Sequence, residues 1–216
     1  MFSLNDDIRS DLRTIADGLL LLLALCMGVL ALFLIFWWDS TLPNPFAEVS
    51  PTEFLQTGAL IASTALFFRE ALRRPDMSRA LVLVGGFIGC MLIREQDYFL
   101  DPICHGCWKW PALALAGSCI LYALRRPAEA VAQLARFVRW RWFPVLLTGL
   151  VIVLAYSRLF GMGLVWRGML STECWHLAKT AMEESAELLG YLLVTFSAVL
   201  QSWEFRRRDS LTECGN

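Results

Sequence analysis

The sequence predicts an all-α fold: a polytopic membrane bundle of six transmembrane helices, with both termini cytoplasmic. Three observations predict it. The chain is 57% hydrophobic and only 18% charged, with a mean hydropathy of +0.53, whereas soluble domains are about 45–50% apolar and about 25% charged. Six mostly apolar stretches run over roughly 18–38, 53–72, 80–100, 108–124, 142–166 and 175–201, and about 20 such residues suffice to cross a bilayer. Arginine and lysine gather on one side of those stretches, and that side faces the cytoplasm.

The first stretch, "GLLLLLALCMGVLALFLIFWW", carries no charge. It exceeds the roughly 7–15 apolar residues of a signal peptide, and "WWDSTLPNP" follows in place of a small-residue cleavage site, so it reads as an uncleaved anchor. The second begins at Ser50-Pro51-Thr52-Glu53, which has the serine, proline and glutamate order of a capped helix start. Small residues should let the third and fourth stretches pack closely: Gly85, Gly86 and Gly89 in one, "ALALAGSC" in the other. Between the fourth and fifth lies "RRPAEAVAQLARFVRWRW", with Val131, Leu134, Phe137 and Val138 at helical spacing among arginines. It predicts a short helix near 127–140 lying in the cytoplasmic interface. Trp37, Trp38, Trp108, Trp110, Trp140, Trp142, Trp166 and Trp175 fall near stretch ends, where tryptophan forms the interfacial belt.

The basic residues set the orientation. Arg9, Arg13, Arg69, Arg73, Arg74, Arg79, Arg125, Arg126, Arg136, Arg139, Arg141, Arg206, Arg207 and Arg208 all fall on one side. Lys109 and Arg167 occupy loops on the other, and Arg94, Arg158 and Lys179 lie within spans. This pattern suits the inner (plasma) membrane of a bacterium, with residues 1–216 forming one integral membrane domain. A net charge of −1 excludes the basic surface that nucleic-acid binding requires. The partners expected are membrane lipids and a small polar or lipidic ligand. No motif names a cofactor or an oligomeric state.

Charges inside the spans carry the functional argument, because each costs roughly 2.5–3.5 kcal/mol in lipid and usually lines a cavity. In "KTAMEESAELLGYLLV", Lys179, Glu183 and Glu187 are successive i,i+4 neighbours on the face that begins at His176, with Glu184 to one side. In "MLIREQDYFLDP", Arg94, Asp97, Tyr98 and Asp101 share a helical face and Glu95 points to its shoulder. Arg158 adds a charge to the fifth span; Glu53, Gln56, Thr57 and Thr64 form a polar stripe on the second. All of these belong to the outer halves, and the inner halves read as nearly free of charge.

The arrangement predicted is a charged pocket in the outer leaflet, walled by the second, third, fifth and sixth spans. Glu183, Glu187, Glu184, Asp97 and His176 are its candidate catalytic residues. Arg94, Glu95, Asp101, Arg158, Lys179 and Glu53 are its candidate ligand-binding residues. Seven acids there (Glu53, Glu95, Asp97, Asp101, Glu183, Glu184 and Glu187) face three bases. Some acids must therefore hold a proton, bind a cation or touch water. A one-sided pocket points to acid/base chemistry on, or binding of, a lipid or small polar ligand. A proton- or cation-coupled transporter or channel is the first alternative.

Cysteine supplies the other. "DPICHGCWKW" puts Cys104 and Cys107 in an outer loop, and "STECWHLAK" puts Cys174 and His176 in another. The first pair has the spacing of a disulfide or of thiol redox chemistry on the outer face. Cys104, Cys107, Cys174 and His176 together have the donor chemistry of a zinc site.

Known membrane-enzyme signatures do not fit. Membrane proteases of the CAAX type carry E-E-x-x-x-R and later histidines. Here Leu188 stands where that arginine would, and no histidine follows. Ceramidase-like hydrolases need three histidines, and this chain has two. Quinone-linked disulfide-generating proteins resemble it only in "CHGC", and usually have four spans. "REQD" (94–97) and "EESAEL" (183–188) are similar to the R-E-x-D and E-E-x-x-E-L motifs of an uncharacterised family of small bacterial multi-spanning inner-membrane proteins. That resemblance covers about ten residues and implies no activity.

Overall fold

A computed structural model describes residues 2–42, 50–100, 104–170 and 174–213. The described residues are helical, joined by short turns, and contain no strand. The helices are α1 (Phe2–Ser40), α2 (Pro51–Arg73), α3 (Ser78–Glu95), α4 (Asp97–Leu100), α5 (Lys109–Leu124) and α6 (Pro127–Val138). After them come α7 (Phe143–Val151), a π-helical turn (Ile152–Tyr156), α8 (Ser157–Phe160), α9 (Gly163–Met169) and α10 (Trp175–Glu213). Three segments are long and apolar enough to cross a membrane: Asp11–Ser40, Phe143–Phe160 and Trp175–Arg207. α5 is apolar but shorter.

Local chemistry explains the ends. Ser50 is extended, and its Oγ accepts from the Glu53 N–H at 3.3 Å, with Pro51 opening α2. α2 stops before Arg74-Pro75, because a residue preceding proline is pushed out of the α region. Gln133 of α6 caps α3 from a distance: its Oε1 accepts from the N–H groups of Arg79 (2.8 Å) and Ala80 (3.3 Å). Two predicted spans are interrupted. The third breaks at Gln96, leaving α4 as a single turn, and the fifth breaks at Gly161 and the extended Met162 before α9. The short helix of 127–140 forms as α6, yet it buries Ala130, Gln133 and Phe137 and leaves Val131 and Val138 exposed.

α10 is the central post. α2 packs on one side of it, and α7, the π-turn, α8 and α9 on the other. α3 packs on α2 and carries α5 and α6 on its outer faces. The core runs through Leu60, Phe67, Leu81, Ile88, Val153, Tyr191 and Val194. Glycines set the closest approaches: a Cβ on Gly86 would meet Cys119 Sγ at 2.5 Å, and one on Gly149 would meet the Gly190 carbonyl at 2.7 Å. Small residues permit such backbone contact between membrane helices. α1 leans on α2 and α10, and among its described side chains it buries only Leu32 and Asp39.

Candidate functional site

The i,i+4 stripe on α10 forms as its spacing requires, with Lys179 Nζ 3.4 Å from Glu183 Oε2. The fifth segment supplies its counter-charge. Arg158 donates Nη1 to Glu183 Oε1 at 2.9 Å and Nη2 to Glu187 Oε1. Ser157, fully buried, donates its hydroxyl to the same Glu187 oxygen at 3.2 Å. Three backbone features deliver these groups. The Gly149–Gly190 crossing draws α7 onto α10, and the π-turn then inserts an extra residue before Ser157. Such an insertion rotates the helix downstream of it, and it recurs at functional sites. Gly161 completes the seat: a Cβ there would lie 2.7 Å from the Glu183 carboxyl carbon.

Glu184 faces α2 instead. Gln56, fully buried, donates Nε2 to Glu184 Oε2 at 3.0 Å and to its backbone carbonyl at 3.3 Å. Gln56 Oε1 is buried with no hydrogen-bond partner among the described residues. Tyr191, two turns further along α10, donates its hydroxyl to Glu95 Oε1 at 2.6 Å. Glu53, Glu95 and Glu187 are electrostatic neighbours of Glu184, while Glu95, Arg158, Arg94 and Glu183 are those of Glu187. One cluster thus unites groups from α2, α3, α8 and α10. Beside it a cavity of about 190 Å³ is lined by Glu53, Thr57, Glu95, Gln96 and Tyr98.

Several expected positions differ. The stripe of Arg94, Asp97 and Tyr98 does not form, because the helix ends at Glu95. Glu95, expected on the shoulder, turns inward, and Arg94 pairs loosely with it (4.0 Å) rather than with Asp97. Asp97 Oδ1 is buried with no hydrogen-bond partner among the described residues. Asp101 lies outside the described residues. His176 is exposed beside the Trp175 ring (5.3 Å between centroids) and does not join the cluster. The groups expected to wall one pocket divide: Glu183, Glu187, Arg158 and Lys179 tie one another into a network, and the cavity lies between α2 and α3–α4.

Cys104 and Cys107 are joined by a disulfide, one of the states their spacing allowed, so neither sulfur is a free thiolate for a zinc site with Cys174 and His176, and Cys174 is an exposed free thiol. Among the described residues no group of three or more His, Cys, Asp and Glu side chains is placed to hold a metal ion.

The far end of α2, where the sequence reads as nearly free of charge, holds a buried carboxylate. Glu70 is buried there, accepting from Arg69 Nη2 (3.0 Å) and Ser202 Oγ (2.7 Å). Midway, Ser63 and Thr195 hydroxyls meet at 2.9 Å. Gln56, Ser63 and Glu70 are seven residues apart, a heptad seam facing α10. Buried Asp39 was also missed; its Oδ2 accepts from Thr52 Oγ1 at 2.5 Å and pins α1 to α2.

No protein-family model matches the chain, and comparison with curated proteins and with solved structures finds no match to it. The functional reading therefore stands on the site. Tyr191 and Gln56 had a signal in the sequence: Tyr191 is i+4 from Glu187 and i+7 from Glu184, and Gln56 belongs to the polar stripe of α2. Ser157 and Gly161 had none, since their roles arise from the π-turn and from contact with α10.

Proposed function

We propose that this chain is a six-span inner-membrane protein with cytoplasmic termini, whose outer-leaflet charge cluster binds a lipid or small polar ligand and acts on it by acid/base chemistry. The spans are α1, α2, α3 with α4, α5, α7 through α9, and α10. Arginine asymmetry supports the orientation. So do contacts that gather the arginines at one end: Arg74 donates to the Phe205 carbonyl (2.9 Å), Arg79 pairs with Glu129 (3.3 Å) and Arg136 donates to the Asp76 carbonyl (3.0 Å). The cluster lies towards the opposite end of α10. The R-E-x-D and E-E-x-x-E-L motifs supply Glu95, Glu183, Glu184 and Glu187 to it.

One observation carries the chemistry. Arg158 holds Glu183 and Glu187, whereas Glu184 has only the neutral amide of Gln56 as its hydrogen-bond partner among the described residues. A carboxyl without a bound cation is the group suited to exchange a proton with a ligand. Glu184 is accordingly the general acid/base, and the Arg158 network positions its helix. The test is to reconstitute wild type and Glu184→Gln in vesicles of total bacterial lipid and follow headgroup composition by mass spectrometry. Wild type should alter a headgroup and the variant, equally folded, should not. Equal turnover by both removes Glu184 from the chemistry, and no turnover by either removes the enzymatic reading.

Transport is the second reading, favoured by the polar seam of Gln56, Ser63 and Glu70 along α2. Leu60 and Phe67, both buried, stand between those groups, so the seam serves first as helix-to-helix hydrogen bonding. Proton flux across the same vesicles, abolished in Glu70→Gln, would reverse that order.

A further inference from the structure

A cavity of about 410 Å³, almost wholly apolar, opens between α1, the π-turn and α10. Leu32 and Phe36 of α1, Tyr156, and Met182, Ala186 and Leu189 of α10 line it. α1 is held at both ends of this groove. Gly28 allows contact with Leu192, where a Cβ would stand 3.4 Å from Cδ2, and Asp39 bonds Thr52. The groove's α1 wall, from Val29 to Phe36, lies between those points. The cavity's volume is that of a small-ligand pocket, about 300–1,000 Å³, and its walls are membrane-length helices.

Its end near Met182 has a different chemistry. Phe36 is followed by the exposed Trp37 and Trp38, and Trp175 lies at the matching end of α10. Tryptophans mark the headgroup level of a bilayer. Lys179 stands one turn from Met182 on the same face of α10. Its ammonium carries three donors, and Glu183 is its one ion-pair partner among the described residues. In the network the cations are the more exposed members: Arg158 and Lys179 side chains are 40% and 27% exposed, against 18% for Glu183 and 5% for Glu187. The accessible charge above the groove is therefore positive.

We propose that the groove seats one acyl chain of a phospholipid and that Lys179 holds its phosphate. The inference rests on the reading of the charge cluster as a ligand site. It deepens that reading by making the ligand an anionic phospholipid that enters sideways from the bilayer. Apolar burial holds the chain, and a charge-assisted hydrogen bond holds the phosphate.

The test is native mass spectrometry of the full chain in detergent, titrated with phosphatidylglycerol and with diacylglycerol of the same chains. Wild type should retain one phosphatidylglycerol and bind diacylglycerol at least about tenfold more weakly, the effect of losing one such charged contact. Lys179→Gln should erase that preference. Leu32→Trp and Ala186→Phe, which fill the groove from opposite walls, should release both lipids. Equal binding of the two lipids by wild type refutes the phosphate contact. Undiminished lipid in both groove-filling variants refutes the chain seat; because Lys179→Gln lies outside the groove, it tests the proposal even if those variants misfold. Glu184→Gln separates the two claims: normal lipid retention with headgroup conversion equal to wild type would leave the groove standing and remove the acid/base reading.

Discussion

Replacing Arg158 with glutamine should unbalance the whole charge cluster. Glu187 is almost fully buried and Glu183 mostly so, and both lean on the one guanidinium. Breaking a buried pair costs about 3–5 kcal/mol, because a charge remains without its partner. Water reaches part of Arg158, which is 40% exposed, and Glu183 retains Lys179, so the low end applies, about 3 kcal/mol. Adding Glu187→Gln removes the stranded charge and keeps an acceptor for the Ser157 hydroxyl. The double variant should then lie within about 1 kcal/mol of wild type, giving a coupling of about 2 kcal/mol in the cycle. Reversible unfolding in mixed detergent micelles, followed by circular dichroism for the four proteins, measures it. If Arg158→Gln alone costs less than about 0.5 kcal/mol and the two changes add within about 0.5 kcal/mol, the cluster is not coupled by charge and the argument for its roles fails.

Gly161→Ala should cost about 1–3 kcal/mol by overpacking, since its Cβ would press on the Glu183 carboxylate, and the Arg158–Glu183 coupling, measured by a cycle of Arg158→Gln with Glu183→Gln, should fall with it. Asp39→Ala leaves the buried Thr52 hydroxyl without its acceptor, at about 1–3 kcal/mol; spin-label distances between α1 and α2 should broaden, whereas an unchanged distance would mean that α1 is held elsewhere. Gln133→Ala uncaps α3 and should lower stability by about 1 kcal/mol in the same unfolding assay. Cys104 and Cys107 should resist alkylation until a reductant is added; because their loop is short, removing both by serine should cost no more than about 2 kcal/mol.

Much of this molecule is dictated by local spacing. Ser50-Pro51 starts α2, proline after Arg74 stops it, and the Lys179–Glu183 contact needs only the period of one helix. Glycines expected at packing faces are found there, with Gly86 and Gly89 against α5 and Gly85 against Phe67. The continuity of two helices was not legible. A uniform 100° rotation placed Arg94 and Asp97 together, and the break at Gln96 instead brought Glu95 inward. The π-turn likewise changed where Ser157 and Arg158 point.

The sequence by itself determined the all-α character, the apolar segments and the polar stripes, because a helical period assigns each side chain to a face of its own helix. Partners across helices were decided only in three dimensions. Arg158 meets Glu187 because Gly149 and Gly190 let two backbones close and the π-turn resets the rotation. Gln56 meets Glu184 and Glu70 meets Ser202 because α2 and α10 run parallel at one axial register. A helical period says which way a side chain faces along its own axis, but not the rotation or slide of one helix against another. Those are set by packing summed over the whole bundle.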